Sequence, residues 1–298
     1  MQTRKKEVLA HMMKQIKPFV VTDALRISDW AAVAGRHLAD GKFIRYGGEP
    51  NTLSLGDRWE TGYDETVWFS AECEIPAAFL GRKMYLEFDF GGEAIVRING
   101  RIAGGVSSSR SGWVYRDKIF LPSPLPEDRI LKIELESTVN SGAFYDEAVI
   151  NGGTSVTYTL SNARLVCVDE ATESYLTDVN VVWEACSQIR DEAIAARVYA
   201  ALDDSLHRLD FDFDRAAFYA SVPEAAQLLW DKIGKIQYQP QSEVVMTGHS
   251  HIDVAWLWTV RETTRKCGRT FSNTLALMEH YPDFIFAQSQ AYLYAKTK

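Results

Sequence analysis

The sequence has 298 residues, of which 46% are hydrophobic and 24% are charged, so collagen-like and disordered chains are excluded. Charged and polar residues interrupt every apolar run well before the roughly 18 residues of a membrane-spanning helix. The formal net charge of −8 argues against binding to phosphates, which depends on clustered Lys and Arg. We therefore expect neither nucleic acid nor a membrane as a partner.

The N-terminus starts like a secretory signal with basic residues at Arg4, but His11 and Lys14 interrupt the apolar core that such a signal needs. The cysteines lack the CxxC spacing of metal ribbons, and four in a chain of this length do not suggest a disulfide framework. They are Cys73, Cys167, Cys186 and Cys267. We expect reduced thiols, a reducing compartment and a cytoplasmic location.

Helical spacing predicts two short helices over 4–16 and 23–38, which make 1–40 an N-terminal helical segment. From about residue 41, apolar and polar residues alternate as in strands with one buried face. The strand candidates are 67–72, 84–90, 94–98, 101–103, 131–136, 156–160 and 164–168. Asn99-Gly100 predicts a type I′ hairpin, because both of its turn residues need a positive φ. Short strands separated by turns indicate an antiparallel β-sandwich over 41–170.

Helical spacing returns after Asp169, and 171–240 is predicted to be a helical connector. Two apolar stripes predict two helices; they consist of Tyr175, Val179, Val182, Trp183 and Cys186, then Ile194, Val198, Ala201 and Leu202. A third helix is predicted from Pro223, which suits a first turn, to about Ile236.

The last part of the chain predicts one β-α-β unit, with strands at 243–248 and 284–287 and a helix over 262–280. Parallel strands need such a crossover, and they also need neighbours and covered faces. We therefore interpret 241–298 as the incomplete start of an α/β-barrel domain. The predicted fold class is multidomain α+β.

The segment GHSHIDVAWLW follows the first of these strands at its carboxyl end, where α/β sheets and barrels place their active sites. In extended backbone, residues two apart point to the same side, so His249, His251 and Asp253 share one face. Imidazole nitrogen and carboxylate oxygen suit Zn²⁺. Catalytic zinc takes three or more protein ligands, so part of the site must come from elsewhere.

This segment and the residues that follow it, TVRETTRKCGRTFSNTLALMEHYPDFIFAQSQ, resemble the opening of the catalytic domain of class II α-mannosidases. These enzymes form glycoside hydrolase family 38, and the likeness is to the cytosolic and bacterial type. The His-x-Asp-x-x-Trp core is the family's signature. The resemblance implies that His251 and Asp253 bind a catalytic Zn²⁺, that Trp256 stacks against mannose, and that mannose-containing oligosaccharides are the substrates. His249 matches a histidine that is common before the motif but is not a direct ligand.

The resemblance also implies residues that this chain lacks. In the family an aspartate nucleophile, a further histidine ligand and an acid/base aspartate come from later in the catalytic domain. No carboxylate pair in 246–298 matches those positions, although a retaining glycosidase needs two carboxyl groups. We therefore expect this chain to be the N-terminal part of a larger enzyme, with its nucleophile beyond Lys298, and to be inactive by itself.

Two other interpretations stay open. In a metal-dependent amidohydrolase, His249 and His251 together would form the HxH that closes the first barrel strand. In a non-catalytic carbohydrate-binding or oligomerisation module, exposed aromatics of the sandwich would stack on sugars. The candidates for that role are Trp59, Trp68, Trp113 and Tyr115. The sequence leaves the oligomeric state open, with a homo-oligomer as one alternative.

Overall fold

The computed structural model of the chain describes residues 2–38, 41–62, 65–108, 115–121, 124–139, 155–212, 214–236, 243–256 and 258–297. The chain divides into two compact units. The helical unit comprises Met1–Asp23 and Cys167–Val244, and the sheet unit comprises Ala24–Val166 and Val245–Lys298. The segment predicted as the N-terminal helical domain, 1–40, contributes to both units, because it contains a helix followed by strands.

Four helices make up the described part of the helical unit: α1 (Gln2–Val20), α2 (Glu170–Cys186), α3 (Glu192–Leu206) and α4 (Arg215–Gly234). The last three each begin after an aspartate whose carboxylate accepts hydrogen bonds from backbone N–H groups of the first turn, the usual N-cap arrangement. These caps are Asp169, Asp191 and Asp214. Both predicted apolar stripes lie in or against one core of the helical unit, so the helical prediction for this region is confirmed.

The third connector helix begins earlier than the sequence predicts. Pro223 is not in its first turn, since α4 begins at Arg215 and contains the proline. Asp214 Oδ1 accepts a hydrogen bond from Ala217 N at 2.8 Å, which fixes the start of the helix. Phe218 and Val222 are fully buried. Capping and core packing therefore continue the helix through a residue type that ordinarily stands at a helix start.

Antiparallel strands form most of the sheet unit. The strands are β1 (Val21–Arg26), β2 (Trp30–His37), β3 (Phe43–Arg45), β4 (Asn51–Leu53), β5 (Arg58–Gly62), β6 (Thr66–Glu74), β7 (Met84–Asp89), β8 (Glu93–Ile98), β9 (Arg101–Ser108), β10 (Tyr115–Arg116), β11 (Lys118–Phe120), β12 (Ile130–Thr138), β13 (Ser155–Thr159) and β14 (Asn162–Val168). One sheet has the order β10-β9-β8-β12-β6-β2-β3, with β4 beside β2, and a second has the order β1-β14-β7-β11. β13 pairs with β5.

An aromatic core lies between the two larger sheets. Trp30 of β2 is fully buried and meets Phe90 edge-to-face, with ring centroids 5.0 Å apart. Phe69 of β6 meets the same ring at 4.9 Å. Trp59 packs against Phe69 at 5.1 Å, and its indole N–H donates to Phe90 O. Aromatic pairs in these orientations add to the stabilisation from burial alone, and the predicted antiparallel sandwich is confirmed.

The prediction of a helix over 23–38 is wrong, because these residues form β1 and β2. Alanines at 31, 32 and 34 favour a helix locally. Pairing decides otherwise: Ala32 lies opposite Phe69 of β6, and Trp30 lies opposite Leu53 of β4. Burial follows the period of two of a strand, so the gain from tertiary packing exceeds the local helix preference.

The Asn99-Gly100 hairpin is confirmed. Both residues have a positive φ, 51° and 78°, and they join β8 to β9. Asn99 also receives a hydrogen bond from Lys132 N at 2.7 Å. The turn is thereby attached to β12, the other neighbour of β8 in the sheet.

The C-terminal part of the sheet unit contains α5 (Val260–His280) and α6 (Ala291–Ala295). The helix predicted over 262–280 is confirmed, but the flanking strands at 243–248 and 284–287 are wrong, since a single parallel bridge joins Gly248 to Phe286. A parallel strand needs partners along its whole length, and the described residues supply one rung. The start of an α/β barrel therefore stays a prediction.

All four cysteines lie in described residues, where they are buried and form no disulfide. No helix in the described part of the chain combines the length and apolar character needed to cross a membrane.

Candidate functional site

Backbone pairing at Gly248 holds the start of the GHSHIDVAW segment. Gly248 N donates to Ile285 O at 2.8 Å, and Ala287 N donates to Gly248 O at 2.9 Å. A Cβ at position 248 would lie 2.9 Å from the ring of Phe284. This position therefore needs glycine for the close approach of the two chain segments.

Ile252 anchors the middle of the segment. It is buried in a small core with Cys267 of α5 and Leu293 of α6. The neighbouring His251 and Asp253 side chains have exposed fractions of 72% and 41%. Burial thus alternates along these three residues, with Ile252 in the core and its two neighbours more exposed.

His251 and Asp253 place two atoms of metal-binding type close together. His251 Nε2 lies 3.1 Å from Asp253 Oδ1, so the expectation that the two side chains share one side is confirmed. Two ligands each roughly 2.0–2.2 Å from a tetrahedral Zn²⁺ lie about 3.3–3.6 Å apart, slightly more than these two atoms. A small widening of the pair would let it occupy two positions of a zinc site.

The described residues supply no third ligand beside this pair. No group of three or more His, Cys, Asp or Glu side chains in them is arranged to hold a metal ion. His249 is directed elsewhere through one ring nitrogen, since its Nδ1 contacts Ala287 O at 2.9 Å. The structure thus brings His251 and Asp253 together. A site that uses both histidines would also need His249 beside them, and the structure does not place it there.

Trp256 presents an aromatic surface next along the segment. Its side chain is exposed, and its ring meets Trp258 edge-to-face with centroids 5.5 Å apart. An exposed indole of this kind suits stacking on a sugar ring. The structure does not bring Trp256 into contact with His251 or Asp253 in the residues described, so its place on the wall of a shared cavity stays a prediction.

The beginning of α5 is bonded to the end of the segment. The hydroxyl of Thr263 donates to Val254 O, and Trp258 Nε1 donates to Thr263 Oγ1 at 3.2 Å. Thr259 caps the helix by accepting a hydrogen bond from Glu262 N. Val254, Trp258 and Thr259 are therefore attached to the first turns of the helix.

The face of α5 that lies against the sheet carries buried charges that the sequence analysis missed. Arg265 Nη2 lies 2.7 Å from Glu136 Oε1, Lys266 Nζ lies 2.9 Å from Glu93 Oε2, and Arg269 Nη2 lies 2.8 Å from the same Glu93 oxygen. We call these five residues the ionic cluster. The sequence signal for this cluster is the spacing of Arg265, Lys266 and Arg269, with Glu262 one turn earlier in the helix. Charged residues with this spacing ordinarily form a solvated face, so the spacing alone does not predict burial.

Burial and charge act in opposite directions on the ionic cluster. Burial by itself raises the pKa of Glu136, but contact with His37 and the charges of Arg265 and Arg97 lower that pKa to about 2. Burial lowers the pKa of Lys266 despite the opposing charge of Glu93. Glu136 is therefore held ionised by the groups packed around it.

The aromatic candidates for a sugar-binding sandwich are accounted for differently. Trp59 belongs to the core described above. Trp68 is partly buried, donates from Nε1 to Glu134 Oε1 at 3.2 Å and stacks with Arg97. Trp113 and the side chain of Tyr115 lie outside the described residues. Core packing therefore explains Trp59, and contacts within the sheet explain Trp68.

Two family models match the chain, and both describe domains of one enzyme family. The first, glycosyl hydrolases family 38 N-terminal domain, matches residues 241–297, which include the His251–Asp253 pair. The second, alpha-mannosidase jelly roll domain, matches residues 28–166. The resemblance to class II α-mannosidases of glycoside hydrolase family 38 is confirmed. Strands β2 to β13 of the sandwich lie within the residues that match the jelly-roll model.

Three curated relatives show the same likeness. Alpha-mannosidase 2C1 of Mus musculus is 28% identical over 242 residues, which cover 80% of this chain and 22% of the relative. Alpha-mannosidase 2C1 of Homo sapiens is 28% identical over 243 residues, with the same two shares. Alpha-mannosidase G of Dictyostelium discoideum is 24% identical over 281 residues, which cover 93% of this chain and 25% of the relative. This chain thus spans about a quarter or less of the length of these α-mannosidases.

Proposed function

We propose that this chain supplies the jelly-roll domain and the first part of the catalytic domain of a zinc-dependent retaining α-mannosidase. The observation that carries the proposal is the 3.1 Å separation of His251 Nε2 and Asp253 Oδ1, within the residues matched by the glycosyl hydrolase model. The substrates are mannose-containing oligosaccharides, from which terminal α-mannosidic bonds are hydrolysed.

In this proposal His251 and Asp253 hold the zinc ion and Trp256 stacks on the mannose ring. A bound zinc ion supplies Lewis acidity toward sugar hydroxyls. The side chains of His251 and Asp253 would hold the zinc ion on the solvent-exposed side of the segment, because Ile252 holds the intervening backbone in the core. Exposure of both donors leaves room for a substrate and for further ligands.

We assign no catalytic nucleophile to this chain. Retaining hydrolysis needs two carboxyl groups about 5–5.5 Å apart, one as nucleophile and one as acid and then base. Asp253 is committed to the metal in this proposal, and we propose that the nucleophile, the acid/base aspartate and a further histidine ligand lie in residues other than these 298. The 298-residue chain by itself is accordingly inactive.

The proposed location is the cytoplasm, and the proposal includes neither nucleic acid nor a membrane as partner. Four buried cysteines without a disulfide support a reducing compartment. The net charge of −8 supports neutral glycans over polyanions as ligands.

The test is zinc content and hydrolysis of an aryl α-mannoside by the protein that carries this chain together with a complete family 38 catalytic domain. We expect His251→Ala and Asp253→Ala each to lower kcat/KM by more than about 100-fold, beyond the 10- to 100-fold typical of changes around metal ligands. Zinc content should fall in parallel.

His249→Ala is the matched control, because it removes an imidazole from the same segment. We expect this variant to retain its zinc, since His249 is outside the proposed ligand set. Loss of zinc from His249→Ala, with retention in Asp253→Ala, would instead support the amidohydrolase interpretation.

A further inference from the structure

The helix α5 lies against the jelly-roll strand β9 at unusually small residues. Asn273 Oδ1 accepts from Gly105 N at 2.7 Å, and Asn273 Nδ2 donates to Gly105 O at 3.2 Å. A Cβ at Gly105 would lie 2.8 Å from the Cβ of Arg269, and one at Gly104 would lie 2.8 Å from Asn273 Oδ1. The glycines thus permit backbone contact between helix and sheet.

The ionic cluster fixes how α5 lies on the sheet. Glu93 of β8 receives both Lys266 and Arg269, while Glu136 of β12 receives Arg265. Side chains of all five residues are largely buried. Removing one member of a buried charge pair leaves the other uncompensated and is strongly destabilising. The helix therefore has one preferred position along the sheet, in which each cation meets its carboxylate.

Lys266 also contacts the segment that carries the zinc-ligand pair. Its Nζ lies 4.4 Å from the centroid of the Trp258 ring, at a cation–π distance. Trp258 in turn donates to Thr263, whose hydroxyl donates to Val254 O. A continuous series of contacts thus runs from Glu93 of the jelly-roll domain to the residue after Asp253.

We propose that Glu93 and Lys266 are positioning residues, through which the jelly-roll domain fixes the backbone that holds the His251–Asp253 pair. The role given to that pair rests on the proposed function. Neither residue touches the pair itself. They act through Trp258 and Thr263 by holding the first turns of α5 and the preceding segment in one arrangement.

The test is hydrogen–deuterium exchange of the 298-residue chain, followed by mass spectrometry of peptides. Glu93→Gln removes the carboxylate that Lys266 and Arg269 share, and Arg269 then keeps its contact with Glu262. We expect amides in 250–263 to exchange roughly 2- to 30-fold faster, the range typical of coupling between connected sites. Peptides of β14, which belongs to the other sheet, should keep their wild-type rates.

Glu87→Gln is the matched control. Glu87 is an equally buried carboxylate of the same unit, paired with Arg164 at 2.6 Å and Lys118 at 3.2 Å, and neither cation belongs to α5. We expect its loss to leave the exchange of 250–263 unchanged relative to the rest of the sheet unit. Lys266→Met provides a second variant should Glu93→Gln fail to fold, and we expect it to reproduce the local acceleration.

Two outcomes would overturn the proposal. Equal acceleration across the sheet unit in Glu93→Gln and Glu87→Gln would mean that Glu93 acts on stability alone. Unchanged exchange of 250–263 in both Glu93→Gln and Lys266→Met would mean that the contacts do not hold the segment. Exchange is measured without substrate, so failure of the mannosidase proposal, seen as zinc retention in His251→Ala, is a separate result.

Discussion

Glu136 combines deep burial with three cationic or imidazole neighbours. His37, Arg97 and Arg265 all lie within 3.2 Å of its carboxylate oxygens. Together they lower its pKa from 4.5 to about 2 against the opposing effect of burial. At neutral pH the charge of Glu136 therefore contributes to the stability of the sheet unit.

The pH dependence of unfolding should report this group. Because the folded-state pKa lies below the unfolded one, the unfolded chain binds the proton first as pH falls. The contribution, about 3 kcal/mol for this shift, is fully present above about pH 4.5 and is lost as pH falls toward 2. We expect a shallower decline in Glu136→Gln over this range. Urea unfolding at pH 6, 4 and 3 measures it, and equal slopes in both proteins would contradict the assignment.

At the residue scale, the spacing of His251 and Asp253 predicts that their side chains share one side. Their 3.1 Å contact confirms that placement, and their role as zinc ligands stays a prediction. His37 lies in the segment predicted as a helix over 23–38, yet only 10% of its side chain is exposed, and it contacts Glu136. Glu136 is about 100 positions away in the sequence, so no local pattern predicts this contact.

At the scale of elements, the contact of α5 with β9 depends on the absence of side chains. Gly105→Ala would place a methyl group 2.8 Å from Arg269 Cβ and 3.2 Å from the Arg269 backbone Cα, so helix or strand must shift. We expect a loss of about 1–3 kcal/mol in the free energy of unfolding, as for overpacked cores.

Gly47→Ala provides the comparison, because a Cβ there meets nothing within 4 Å. Chemical denaturation of the two variants distinguishes steric conflict from a general effect of replacing glycine. A Gly105→Ala protein as stable as Gly47→Ala would show that α5 can shift on the sheet without cost.

Elements with strong local signals were predictable, and those that depend on partners were not. The Asn99-Gly100 turn and the alternating run of β12 report their own conformation. β2 does not, since its alanines favour a helix until β6 and β4 pair with it. The segments 243–248 and 284–287 show the opposite error. Their β-branched and aromatic residues favour strands locally, but a single bridge joins the two segments, so no strand forms.

At the scale of the whole molecule, the predicted boundaries of the sandwich, 41–170, leave out β2, which the structure places inside the main sheet. β2 pairs with β6, β3 and β4, and its Trp30 is fully buried against Phe90. Loss of a buried tryptophan alone costs about 3–5 kcal/mol, a large part of a typical domain's stability.

We therefore expect a fragment of residues 24–170 to unfold in a cooperative thermal transition, and a fragment of residues 41–170 to lack one. Circular dichroism of the two fragments is the measurement. Their shared C-terminus makes them a matched pair. Equal melting temperatures would show that β2 is dispensable and would favour the narrower boundary.

The ionic cluster has a consequence for how the protein responds to heating. The hydration of charged groups becomes less favourable as temperature rises, so the cost of keeping Glu93, Lys266 and Arg269 out of water decreases. The gain from apolar burial does not increase in the same way. Warming therefore weakens the contact between α5 and the sheet less than it weakens a purely aliphatic contact of equal area, and the segment carrying His251 and Asp253 keeps its support as the temperature approaches the melting range.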